Sequence, residues 1–182
     1  LVERYRARDL PVLLVDADPS GSGDVEIMPG VKHKAYGEDV LEASGQEKIS
    51  LQQLKDLVVK TPHKIDTVAF FNPSRMDHGF VPEAVEPFCD QSSQIYPLIV
   101  VDVGVGPDPL IFPFLEQATL ILVVTEPDIL VISQTRKCLD RLQKLLFPSE
   151  MVHLILNKHN SKGPIQPDVI QTNLKRKVSV LI

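Results

Sequence analysis

Pro11-Val-Leu-Leu-Val-Asp-Ala-Asp-Pro-Ser-Gly-Ser-Gly-Asp24 is the stretch that sets the fold of this chain. A short, almost purely aliphatic run ends in two carboxylates one residue apart, and a Gly/Ser-rich turn leads from them to a third. Such a run reads as a parallel strand covered on both faces, and in open α/β sheets ligands sit just beyond the carboxyl ends of the strands. Asp16 and Asp18 are therefore expected at a binding crevice. Neither belongs in a core unpaired, because a buried charge costs several kcal/mol unless a partner or metal offsets it. Metal and phosphate chemistry follows as the first expectation.

Outward from that stretch, the composition bounds the rest. A chain of 182 residues with 43% hydrophobic residues holds one domain with a sizeable core. The net charge of −5 argues against a surface built mainly for nucleic acid. Cys89 and Cys138 lack any metal-binding or CxxC spacing, so two reduced thiols in a cytoplasmic protein are expected. No apolar run reaches the ~18 residues of a membrane span, and no signal peptide is visible. The chain opens on Leu1 in a polar helical pattern and stops on Ile182 in an apolar run, so a single partial domain over 1–182, cut at both ends, is expected.

Further aliphatic runs predict strands at 11–16, 66–71, 97–102, 119–125, 151–157 and from 178. Their continuous apolarity favours burial on both faces. Helical patterns are clearest at 50–60, where Ser50 caps Leu51, Leu54, Leu57 and Val58. Another covers 129–146, with Ile129, Ile132, Leu139, Leu142 and Leu146 on one stripe. Shorter helices are predicted at 82–91, 108–117 and 166–176. Residues 19–49 read as a long loop with one short helix, and 72–80 as a second irregular insert. The alternation predicts a doubly wound α/β fold, mostly parallel, with helices on both faces.

The strand ends then fall into register. Asp102 closes a second hydrophobic run and is followed by Gly104 and Gly106. A carboxylate there can hold magnesium through water, while the glycines let backbone N–H groups approach a terminal phosphate. Read alone, the same pattern is a capped strand and a tight turn. Thr125-Glu-Pro-Asp128 reads as a turn and helix start with Asp128 as the cap. Asn157-Lys158 ends the next strand, and a side-chain amide suits a purine edge because it offers donor and acceptor together.

In this order, Val-Asp-Ala-Asp18 with Gly23-Asp24, Val-Val-Asp102-x-Gly-x-Gly106, Val-Val-Thr125-Glu-Pro-Asp128 and Leu-Asn157-Lys-His-Asn-Ser-Lys-Gly163 resemble the MinD/ParA branch of P-loop ATPases with a deviant Walker A motif. Within it the chain is most similar to the CpaE/TadZ pilus-assembly group. The resemblance implies that Asp16 and Asp18 are the carboxylates that order the attacking water and the magnesium shell, with Asp18 on the water. It implies that Asp102 is the Walker B carboxylate, holding Mg2+ through water with Asp16. Gly104 and Gly106 would face the γ-phosphate, and Asn157, with Lys158 beside it, would read adenine. Asn160 stands where guanine-reading relatives carry Asp, which favours ATP.

One element of that family is missing. No Gly-rich loop followed by Gly-Lys-Ser/Thr occurs in 1–182, so the first strand and the phosphate-cradling loop are expected upstream of Leu1, and Leu1–Asp9 reads as the back half of the following helix. These residues alone should not hydrolyse ATP. His33, His63, His78, His153 and His159 share no ligand spacing; His153 should be a satisfied buried imidazole or an edge residue. Ser20, Ser22 and Ser44 form no nucleophile elbow, and Gly21 and Gly23 supply turn freedom. Lys158, Lys162 and Lys175–Lys177 read as a solvated helix end. Phe70-Phe71-Asn72 and the residues after it suggest a surface loop without assigned chemistry.

The function implied by the resemblance is an ATP- and magnesium-dependent dimerising switch that positions or assembles a Flp/Tad-type pilus or secretion machine. A homodimer, pilus or secretion proteins as partners and association with the membrane surface through a partner go with it. The expected address is the cytoplasm, peripheral to the inner membrane or at a cell pole. The competing expectations are a non-catalytic scaffold of the same fold, a ParA-like DNA-partition ATPase and a metabolic ligase.

Overall fold

The computed structural model describes residues 10–20, 23–27, 30–45, 49–62, 65–75, 82–106, 108–160 and 162–182. The expected helix over Leu1–Asp9, the turn residues Gly21 and Ser22, and His63, His78 and Ser161 lie outside the described residues, as does the insert over 76–80. The chain divides into two compact units, 1–117 and 118–182.

The first unit is built on a four-stranded sheet, β2(Val59–Lys60), β3(Asp66–Ala69), β1(Val12–Asp16) and β4(Leu98–Asp102), in that order. β1 runs parallel to both β3 and β4, whereas β2 is antiparallel to β3. Between the strands lie α1(Asp24–Ile27), α2(Gly37–Ala43), α3(Leu51–Leu57), α4(Val85–Ser93) and α5(Phe112–Gln117). Among its described residues the 19–49 segment thus carries two short helices rather than one. β1 is central because its aliphatic residues Leu13 and Val15 are fully buried, as continuous apolarity demands.

Ser50 caps α3 as expected: Gln53 N–H donates to the Ser50 hydroxyl, and Ser50 N–H donates to the Gln53 side chain. The helix predicted over 50–60 stops at Leu57, however. Val58 is already extended, and Val59 and Lys60 pair with Thr67 and Asp66 to form β2. β-branched residues fit a pleated edge better than a fourth helical turn.

The strand predicted over 66–71 also ends early, at Ala69, yet Phe70 and Phe71 are core residues and not a surface loop. The Phe70 ring meets Phe71, Phe88 and Phe114 edge-to-face, with centroids 5.2, 5.5 and 4.8 Å away. Such pairs add about 0.5–1.5 kcal/mol each beyond area burial. A Cβ on Gly37 would stand 2.6 Å from this ring, so the start of α2 packs against it only as glycine. Asn72 and Arg75 then strap the chain to α2. Asn72 donates from its backbone to Glu38 and from its amide to Asp39, and Arg75 bridges Asp39 at 3.0 Å and Glu42 at 2.7 Å.

The second unit is a three-stranded parallel sheet in the order β5(Ile121–Thr125), β6(Val152–Leu156), β7(Val178–Leu181). α6(Ile129–Lys144) links β5 to β6, and α7(Pro167–Leu174) links β6 to β7. Asp128 caps α6, accepting from the N–H groups of Leu130 at 2.8 Å and Val131 at 3.1 Å. Of the apolar stripe predicted on this helix, Ile132 and Leu142 are buried, while the end residues Ile129 and Leu146 are exposed. His153 lies on the central strand rather than at an edge and meets the Ser179 hydroxyl at 3.3 Å. Both cysteines are free thiols. Among the described residues, no helix is long and apolar enough to cross a membrane.

Candidate functional site

In the first unit the strand ends gather carboxylates by register. The parallel β1–β4 ladder sets Asp16 directly opposite Asp102, and Ala17 N–H continues it with a 2.7 Å bond to the Asp102 carbonyl. On the other side, Phe70 N–H donates to the Asp16 carbonyl at 2.7 Å, so the end of β1 is held from both neighbours. The chain then turns sharply. Asp18 N–H donates back to the Asp16 carboxylate at 3.2 Å, while the Ser20 N–H and hydroxyl donate to the Asp18 carboxylate at 2.9 and 2.8 Å. Asx turns of this kind fix the carboxylates rather than leaving them on free rotors.

Gly104 completes the arrangement. It sits in left-handed backbone at φ +69°, and its N–H donates to the Asp102 carboxylate at 3.0 Å. A Cβ there would fall 2.4 Å from the Asp18 carboxyl carbon, so the space a side chain needs is filled by Asp18 itself. Asp18 from the β1 turn and the Asp102–Gly104 turn after β4 therefore share one small volume. Gly106 follows at φ +99°, a conformation L side chains rarely adopt, with open space where a Cβ would stand.

Three carboxylates at neighbouring strand ends repel one another. Asp16 is buried, and its pKa is raised first by desolvation; the charges of Asp102 and Asp18 push it further up. The Asp18 N–H and His33 pull the other way. Such a cluster is stabilised by a cation. Among the described residues no three His, Cys, Asp or Glu side chains are placed to hold a metal directly. The donor set instead suits an ion that keeps most of its water and is held by one or two carboxylates, which is the habit of magnesium.

The sequence-predicted residues of the second unit are also strand-end residues. Asn157 follows β6, and its N–H donates to the Thr125 carbonyl at 2.8 Å, tying the ends of β5 and β6 together. Lys158 is left-handed at φ 54°, and its ammonium sits 2.8 Å from Glu126, so its charge is already matched within the unit. The Asn160 side-chain oxygen accepts from Lys162 N–H at 2.9 Å. In the sequence Glu126 reads only as part of the Thr125–Asp128 turn. No local signal marks it, because the pairing spans 32 residues and depends on β5 and β6 being neighbours.

No family model and no curated relative matches the chain. Solved structures do. A ParA family ATPase from Chlorobium tepidum superposes with a TM-score of 0.80 at 24% identity, over 96% of this chain and 71% of that one. The fold is that of the ParA/MinD ATPases. A MinC:MinD cell division complex from Aquifex aeolicus matches with a TM-score of 0.70 at 18% identity, over 97% of this chain and 70% of that one. The septum site-determining protein MinD from Pyrococcus horikoshii, complexed with Mg-ADP, matches with a TM-score of 0.62 at 17% identity, over 94% and 68%. Strand ends of a ParA/MinD-type sheet are where this chain carries Asp16, Asp18 and Asp102.

Proposed function

We propose that this chain belongs to an ATP- and magnesium-dependent switch of the CpaE/TadZ kind, which dimerises on nucleotide and positions or assembles a Flp/Tad-type pilus or secretion machine. The observation that carries the reading is the placement of Asp18 over Gly104, beside Asp16 and Asp102. Asp102 and Asp16 would hold magnesium through water, Asp18 would orient the attacking water, and Gly104 and Gly106 would admit the terminal phosphate. A solved MinD relative carries Mg-ADP, which supports the cofactor assignment. Nucleotide works here as a population shift: it favours one assembly state, and hydrolysis releases it. The proposal places this switch in the cytoplasm, at the inner membrane or a cell pole.

Residues 1–182 hold no Gly-Lys-Ser/Thr loop, so the proposal takes the phosphate cradle to lie upstream of Leu1, and the test uses protein that includes that segment. Mg-ATP binding is measured by calorimetry on the wild type and on Asp102→Ala. The expected outcome is at least a tenfold loss of affinity, with loss of nucleotide-dependent dimerisation in sedimentation. Unchanged affinity, turnover and assembly in Asp102→Ala refute the reading.

A further inference from the structure

The C-terminal end of α6 combines two costs in one residue. Leu146 turns left-handed at φ 62°. Its N–H donates to the Gln143 carbonyl at 3.0 Å, and Phe147 N–H donates to the Leu142 carbonyl at 3.1 Å. These paired bonds close a helix in a Schellman motif, in which the residue at the position of Leu146 is usually glycine, since a Cβ is strained there. Leu146 is also 86% exposed, and Leu145 beside it 42%. Strain and exposed aliphatic surface at one site point to a use for the side chain.

The helix leading to this tip is cationic on its outer face. Lys137, Arg141 and Lys144 are all exposed and are spaced four and three residues apart, so they form one stripe. Leu130, one heptad before Lys137 and 73% exposed, lies on the same stripe. Asp140 is the single acidic residue of α6. The surrounding sequence shares this bias. Residues 118–182 carry nine Lys and Arg against five Asp and Glu, whereas 1–117 carry ten against nineteen.

A cationic stripe alone fits any polyanion, and the leucines decide between polyanions. A nucleic-acid backbone takes charge and leaves Leu145 and Leu146 in water. An anionic bilayer takes both, with lysines at the headgroup phosphates and aliphatic side chains just beneath them. We propose that the outer face of α6, ending in Leu145 and Leu146, docks reversibly on an anionic membrane surface. This inference concerns one helix of the second unit and stands whether or not the nucleotide reading holds.

The test is co-sedimentation of the nucleotide-free protein with phosphatidylcholine vesicles, with and without phosphatidylglycerol. Binding is expected only with phosphatidylglycerol, and it weakens as salt rises. Lys137→Gln with Lys144→Gln should lower the partition coefficient about 25-fold, roughly fivefold per cation. Leu146→Gly should lower it severalfold while raising the thermal midpoint, because glycine relieves the backbone. That opposite movement separates docking from folding. The proposal is overturned if both variants bind as the wild type does, if pure phosphatidylcholine is bound equally, or if the protein takes up nonspecific duplex DNA and leaves the vesicles in solution.

Discussion

At the end of β1 the chain holds a carboxylate where it is uncomfortable as an anion. Asp16 is buried beside Asp102 and near Asp18, and its raised pKa means that the folded state binds its proton more tightly than the unfolded chain does. From the ordinary carboxylate pKa up through the raised one, stability therefore falls as pH rises. Asp16→Asn removes the charge and keeps an oxygen to accept from Asp18 N–H. In the metal-free protein it should raise stability at neutral pH by about 1 kcal/mol, because a half-desolvated charge beside two like charges is removed. The gain should fade as pH falls toward 4, which urea titrations at both pH values would read. Gly104→Ala tests the geometry from the other side. Its Cβ meets the Asp18 carboxylate in left-handed backbone, so a loss of about 2 kcal/mol is expected in the same titration.

Elements whose signals are local were legible. Asp128 announces α6 and caps it, and Asp128→Ala should cost about 1 kcal/mol, seen as a lower urea midpoint. Ser50 and Gln53 did the same for α3. Elsewhere tertiary partners outvoted local pattern. Val58 to Lys60 continue a plausible helix, but Asp66 and Thr67 offered an edge to pair with. Phe70 and Phe71 looked like an odd loop because their partners Phe88 and Phe114 lie far along the chain. Leu146 matched the apolar stripe of α6 by count, yet the helix ends before it. One buried group was invisible in sequence: the Ser92 hydroxyl on α4, fully buried with no hydrogen-bond partner among the described residues. Ser92→Ala should stabilise the protein by about 1 kcal/mol in thermal unfolding, since an unpaired buried hydroxyl is lost.

Across the molecule, the α/β class and the Asp16, Asp18 and Asp102 gathering could be read because strand-end carboxylates follow aliphatic runs. The strand order within each sheet could not, since it depends on which strands pair. Each unit happens to contain one cysteine, and both thiols are half-buried. Burial pushes the Cys89 pKa up to about 12 and raises that of Cys138. Neither should react with iodoacetamide until its unit opens. The aromatic cluster supports the first unit, whereas the second exposes Leu122 and Val124 on its own sheet. Cys138 should therefore be labelled at a urea concentration about 1 M below that for Cys89, by mass spectrometry of the alkylated peptides.

The two-residue antiparallel strand β2 has a consequence for how this protein fails. It closes one margin of the first sheet with a short, reversed segment ending in exposed Lys60, a poor template for a neighbouring molecule. Misassembly by strand-to-strand accretion is thereby denied one direction of growth.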